Sequence, residues 1–165
     1  MADDEALRRR LAETIYDEAN CLDRQDWQGW LDHYLDDAVL WAPAWQDEFR
    51  LTEDPTSEVS LFYLEGKAML EDRVWRWSND ASAASQPLPR TSHLIGNIVF
   101  EAVDADEAVL GSRWQTQVFR RGRTWSYAGA YRHRLRRDDT GWKIAEKYIV
   151  VINDLIDTAL DLYHV

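Results

Sequence analysis

Pro89-Arg90-Thr91-Ser92-His93 opens a stretch, residues 89–151, that continues as four long strand-like segments broken only by short polar turns. Thr91–Val103 ends at Asp104-Ala105-Asp106-Glu107, and Val109–Arg120 ends at Arg121-Gly122-Arg123. Trp125–Arg137 ends at Asp138-Asp139-Thr140-Gly141, and Trp142–Ile152 closes the series. Segments joined by such short turns, rich in Gly and Asp, are hairpins, so the pattern predicts an antiparallel sheet. Successive side chains of a strand point to opposite faces. In the third segment this groups Trp125, Tyr127, Gly129, Tyr131, His133 and Leu135 against Ala128, Ala130, Arg132 and Arg134. The same rule in the last segment groups Trp142, Ile144, Tyr148, Val150 and Ile152 against Lys143, Ala145, Lys147, Ile149 and Val151. That strand is apolar on both sides near its end, which calls for cover on both sides: helices on one, a second subunit on the other.

The residues before the sheet read as its cover. Leu7, Leu11, Ile15 and Ala19, with Leu22 after them, make one apolar stripe and predict a helix over 4–19. Asp26 is a candidate N-cap for a short helix through about Tyr34, which Asp36-Asp37 ends. Ala38–Trp41 reads as a short strand, Gln46–Ser57 as a loop and Glu58–Leu64 as a second strand. Gly66–Asn79 is a third helix with Leu70, Val74 and Trp77 inward, followed by the small-residue loop Asp80–Pro87. Helices first and a curved antiparallel sheet afterwards define an α+β fold: a half-open cone with an internal pocket, built as one domain spanning 1–165.

The 165 residues carry a formal charge of −11, opposite in sign to what a nucleic-acid backbone or an anionic membrane surface attracts. No apolar run approaches the roughly 20 residues of a membrane span, and Met1-Ala2-Asp3-Asp4-Glu5 is acidic where a signal peptide is basic. A cytoplasmic protein is the expectation. Cys21 is the single cysteine among four scattered histidines, too few ligands for a Rieske cluster or a zinc ribbon. The nine tryptophans supply more large apolar surface than a core of this size needs.

A catalytic cone would need an inward acid or base beside a polarising partner. The candidates are Asp36 or Asp37, His93, and Tyr127, Tyr131 or His133. Each has a plainer structural reading: the aspartates as helix terminators, the tyrosines as core, His93 as a hydrogen-bonded histidine or interface group. His133 stands among arginines, which oppose a metal cation. Cys21 is flanked by Glu18 and Asp23, which raise its pKa and dull its reactivity. No catalytic, metal or cofactor residue is assigned to this chain.

Pro89-Arg90-Thr91-Ser92-His93 with Asn97, Trp41-Ala42-Pro43-Ala44-Trp45, Leu51-Thr52-Glu53-Asp54-Pro55, Leu70-Glu71-Asp72-Arg73-Val74 and the ending Asn153-Asp154 through Tyr163-His164-Val165 together resemble the small (beta) subunit of aromatic-ring-hydroxylating dioxygenases, in its benzoate/toluate/anthranilate branch. The resemblance runs from about Leu11 to Val165. It implies a nuclear transport factor 2-like cone and a chiefly structural subunit. Such a chain forms a trimer inside a three-plus-three hexamer with the large (alpha) oxygenase subunit. The resemblance further implies that the large subunit carries the Rieske 2Fe-2S cluster and the mononuclear iron, takes electrons from NADH through a reductase, and dihydroxylates a benzoate-like ring. Interface roles are then expected for Trp41, Trp45, Arg90, His93, Tyr163 and His164. The alternative is a free-standing cone-pocket enzyme: a dehydratase, an isomerase or a polyketide cyclase.

Overall fold

A computed structural model describes residues 2–79, 86–156 and 158–165. Residues 80–85 of the Asp80–Pro87 loop, and Met1, lie outside the described residues. The elements run α1 (Ala2–Arg24), α2 (Trp27–Asp32), β1 (Tyr34–Pro43), β2 (Ser60–Glu65), α3 (Lys67–Ser78), β3 (Arg90–Val103), β4 (Glu107–Arg120), β5 (Arg123–Asp138) and β6 (Gly141–Val151). A final 3-10 turn covers Leu162–His164. The sheet order is β2-β1-β6-β5-β4-β3.

The hairpin series β3–β6 pairs antiparallel throughout, as its turns require. One junction departs from that expectation: β1 lies parallel to β6, so the sheet is mixed. The first strand is also far longer than Ala38–Trp41. It begins at Tyr34, which therefore leaves α2, and it carries Asp36 and Asp37 in mid-strand. Asp26 does cap α2, its carboxylate accepting from the Gly29 N–H at 3.0 Å. α1 extends past both predicted ends.

The concave face of the sheet closes on α1, α2 and α3. Leu11, Ile15 and Leu22 of α1, Trp30 of α2 and Leu70 and Trp77 of α3 are all buried against it. Trp27, Trp30 and Trp77 form one aromatic cluster, and Trp77 meets Tyr163 edge-on at 5.2 Å. The Trp77 indole N–H donates to Asp161 at 3.0 Å, and Asp161 caps the final turn. Thus the C-terminal segment is pinned across the mouth of the cone, with Leu162, Tyr163, His164 and Val165 buried.

The alternation predicted for β6 fails at one place. Arg134 pairs with Glu146 but Leu135 with Ile144, so Ala145 is an extra residue. This bulge lets Ile144 and Ala145 both point inward, and after it the inward set is Lys147, Ile149 and Val151. Tyr148 and Val150 turn outward, on the opposite side from Ile144.

Candidate functional site

Two regions hold the residues that the sequence singles out: the concave interior and the convex outer face. In the interior, β3, β4 and β5 present matched rows. His93 faces Thr116, which faces Tyr127; Ser112 faces Tyr131; Leu110 faces His133, which faces Lys147. Tyr127, Tyr131 and His133 are buried on this face, as their shared parity implies. The β5 arginines point the other way, so the neighbouring cation of His133 is Lys147 instead.

Glu18 and Lys147 are the interior charges that the sequence reading passed over. Glu18 comes from α1 and is fully buried. Its carboxylate accepts from the Trp30 indole at 2.7 Å, the Tyr34 hydroxyl at 2.6 Å and the Lys147 ammonium at 3.1 Å. Burial works to raise its pKa. The Lys147 charge and the hydrogen bonds from Tyr34 and Trp30 overcome that and hold it at about 2, so the carboxylate is ionised. The Lys147 ammonium also lies 4.6 Å from the centre of the Tyr131 ring.

Asp23, at the end of α1, ties that helix to β3. It accepts from the Thr91 hydroxyl at 2.8 Å, the His93 backbone N–H at 2.8 Å and the His93 ring Nδ1 at 2.6 Å. Burial opposes ionisation of Asp23, but these donors keep its pKa below the usual carboxylate value. The His93 side chain is only 1% exposed. Tyr163 and His164 are also buried in the chain's own core, with His164 packed on both Tyr127 and Tyr163. These three expected interface residues therefore lie inside the cone. Their local motif gave no sign of depth, because the burial comes from α1 and the C-terminal segment folding back.

Trp41, Trp45 and Arg90 lie on the outside. Trp41 packs edge-on against Tyr148 at 5.1 Å, and the Trp45 indole donates to the Val151 carbonyl at 2.7 Å while its ring stays partly exposed. Arg90 stacks over the Phe119 ring at 4.3 Å. Two shallow depressions mark this face. One is bordered by Trp41, Phe49, Leu51, Arg132 and Tyr148, the other by Leu94, Arg113, Gln115, Ala128 and Ile152. Phe49, Leu94 and Ile152 are 86%, 65% and 60% exposed. Asp36 and Asp37 are exposed too, and Asp37 pairs with Arg136 at 2.7 Å, away from the interior.

The interior histidines set a pH dependence. Burial, followed by the Lys147 charge, pushes the His133 pKa down to about 3. Burial, with His93 and Arg120 nearby, does the same to His164. Both are neutral in the fold, and both take a proton near pH 6.5 when unfolded. Because the folded values are depressed, their contribution is complete above pH 6.5 and is lost as pH falls toward 3. Glu18 adds the same sign between about 4.5 and 2. Denaturant midpoints should be level above pH 7 and decline below 6.5. Each histidine proton contributes a slope of up to about 1.4 kcal/mol per pH unit. The decline should steepen below pH 4.5.

Among the described residues no three of His, Cys, Asp and Glu come together to hold a metal ion. No described helix is long and apolar enough to cross a membrane.

Comparison with known proteins matches residues 17–158 to the family model described as ring hydroxylating beta subunit. The chain is 37% identical over 156 residues to the benzoate 1,2-dioxygenase subunit beta of Acinetobacter baylyi, covering 94% of this chain and 92% of that protein. It is 39% identical over 153 residues to the 2-halobenzoate 1,2-dioxygenase small subunit of Burkholderia cepacia, covering 92% of each. The crystal structure of the benzoate 1,2-dioxygenase beta subunit of Burkholderia mallei superposes with a TM-score of 0.79 at 35% identity, covering 94% of this chain and 95% of that one.

Proposed function

The chain belongs to the ring hydroxylating beta subunit family, and from that premise we propose that it is the chiefly structural small subunit of a dioxygenase acting on a benzoate-like aromatic acid. It folds as one small-subunit domain, assembles as a trimer, and joins three large oxygenase subunits in a hexamer. The large subunit holds the Rieske 2Fe-2S cluster and the mononuclear iron, receives electrons from NADH through a reductase, and carries out the cis-dihydroxylation. The donor set of this chain fits neither metal centre, since Cys21 stands alone and Asp23 is committed to His93. No step of the reaction is assigned to its own residues. The relatives do not favour a free-standing cone-pocket enzyme.

The observation that carries this reading beyond kinship is the outer face. Phe49, Leu94, Val99, Ile152 and Leu155 are large, apolar and well exposed there and in the adjoining tail. Trp41, Trp45 and Arg90 stand on the same outer surface and are of the residue types that anchor interfaces.

Co-expression with the cognate large subunit is the test. The two chains should co-purify in equal amounts, and dihydroxylation of benzoate by the reductase-coupled system should require both. Trp45→Ala and Arg90→Ala should weaken that association, by about 2 kcal/mol if either is a hot spot. A small subunit that stays a clean monomer, beside a large subunit fully active without it, would overturn the reading.

A further inference from the structure

Phe49 stands 86% exposed at the tip of a hairpin whose backbone is pinned from several sides. Trp45 and Leu51 pair across its base, and the Gln46 N–H donates to the Arg50 carbonyl at 2.8 Å. The Asp47 carboxylate accepts from the Phe49 and Arg50 backbone N–H groups, both at 2.9 Å, and from the Arg50 guanidinium at 2.8 Å. The Trp45 indole then fastens the hairpin to the Val151 carbonyl at the end of β6. A bare aromatic ring is thus held in place before anything meets it, which spares a partner the cost of ordering it. Glu48, next to it, is exposed and in no ion pair among the described residues. A depression of about 450 Å³ adjoins on the same face, beyond Val151. Leu94 and Ile152, both exposed, are its apolar border, and Gly96 and Ala128 are small residues between them. A methyl added to Gly96 would meet nothing within 4 Å, so the space above it is open. Arg113 stands at the side of this depression.

Resting on the trimeric reading above, we propose that these two features form the contact between copies of this chain. Phe49 of one copy enters the Leu94–Ile152 depression of the next, and Glu48 pairs there with Arg113. Charge supports the match. Arg132, Arg134 and Arg136 on the outer face each hold a carboxylate of their own chain, and Arg90 is stacked on Phe119. Arg113 is exposed and in no ion pair among the described residues, so it is the outer arginine left for an outside carboxylate. The two halves do not meet within one chain, because Phe49 borders the other depression, beside Trp41 and Tyr148. A closed ring of identical copies needs just such a pair: two different, complementary patches on each copy. In a ring of three, the two contacts of a copy look toward its neighbours at an acute angle. Adjoining parts of one convex face meet that requirement. An aromatic ring seated in a small-residue depression, with a charged pair at its side, is also the composition of an interface centre.

Sedimentation velocity of the full chain over a range of concentrations is the test. The parent should sediment as a trimer. Phe49→Ala removes only an exposed ring, so it should keep the parent's circular dichroism while raising the concentration for half-dissociation about tenfold or more, the effect of one lost anchor. Glu48→Arg and Arg113→Glu should each weaken the trimer, and the double variant should recover most of the loss, because the pair re-forms with its signs exchanged. A double variant no better than the single ones would overturn the pairing. A trimeric parent whose Phe49→Ala variant stays equally trimeric would overturn the contact and leave the trimeric reading standing. If that variant instead loses co-purification with the large subunit, the ring belongs to that partner and the contact between copies is overturned. A parent that sediments as a monomer would overturn the contact and the trimeric reading together.

Discussion

Lys147→Met should lower the unfolding free energy by about 3–5 kcal/mol, read as a fall in the denaturant midpoint at pH 7 and fixed protein concentration. The reason is the partner left behind. Glu18 is fully buried, and its carboxylate is kept ionised first by the Lys147 charge. Without that charge Glu18 must either remain as an uncompensated buried anion or take up a proton. A protonated Glu18 disturbs an oxygen that accepts from both Trp30 and Tyr34. The loss therefore spreads from β6 through α1 to α2 and the start of β1. Adding Glu18→Gln to Lys147→Met separates charge from shape. The amide oxygen still accepts from Trp30 and Tyr34, and no unpaired charge stays in the core. The double variant should recover to within about 2 kcal/mol of the parent. A double variant as unstable as the single would mean that packing of the lysine stem, not charge, sets the cost.

The two members of that pair show how far the sequence could be read. α1 was legible because Leu7, Leu11, Ile15 and Leu22 repeat at helical spacing, and Glu18 falls on the same stripe at i+7 from Leu11. A carboxylate on an apolar stripe calls for a buried partner, but nothing local says where in the chain the partner lies. Lys147 shares parity with Ile149 and Val151, but Tyr148, Val150 and Ile152 oppose them with equal apolarity, so the pattern leaves its direction open. The bulge at Ala145 was not readable either, and it moved Tyr148 and Val150 to the opposite side from Ile144. A bulge is a property of two strands in register, invisible to the periodicity of one. The same holds for β1: Asp36-Asp37 reads as a helix stop, yet pairing with β2 and β6 carries the strand back to Tyr34. The hairpins β3–β6 were legible nearly to the residue because their turns are local chemistry.

Depth was the least legible quantity in the candidate site. Arg90 and His93 stand three residues apart in one motif, yet Arg90 lies on the outer surface over Phe119 and His93 is sealed against Asp23. Strand alternation alone puts them on opposite faces. Assigning the faces requires knowing that α1 closes over His93, which is tertiary information. The sequence motif thus mixes two roles: positions that hold the cone shut and positions that look outward.

Gly129→Ala tests whether the sheet tolerates any change where those roles meet, and it should cost about 3 kcal/mol or more. Gly129 sits in β5 between Trp114 of β4 and Val151 of β6. A methyl group there would fall on the Val150 carbonyl oxygen, 2.8 Å from its carbon and 3.2 Å from the Trp114 indole nitrogen. The obstacle is backbone, which cannot rotate away as a side-chain end would. Relief requires β6 to move from β5 at the point where several anchors converge. The Ile152 N–H donates to Ala128, Asn153 bonds the Ala128 N–H and the Ser126 carbonyl, and the Trp45 indole holds Val151. The C-terminal segment and the Trp45 loop should therefore shift together, disturbing the cone's mouth and the outer face at once. Gly96→Ala is the matched control. Its methyl would meet nothing within 4 Å, so it should stay within about 0.5 kcal/mol of the parent. If Gly129→Ala instead keeps both its denaturant midpoint and its co-purification with the large subunit, β5 and β6 are not held at the spacing that the closed cone requires.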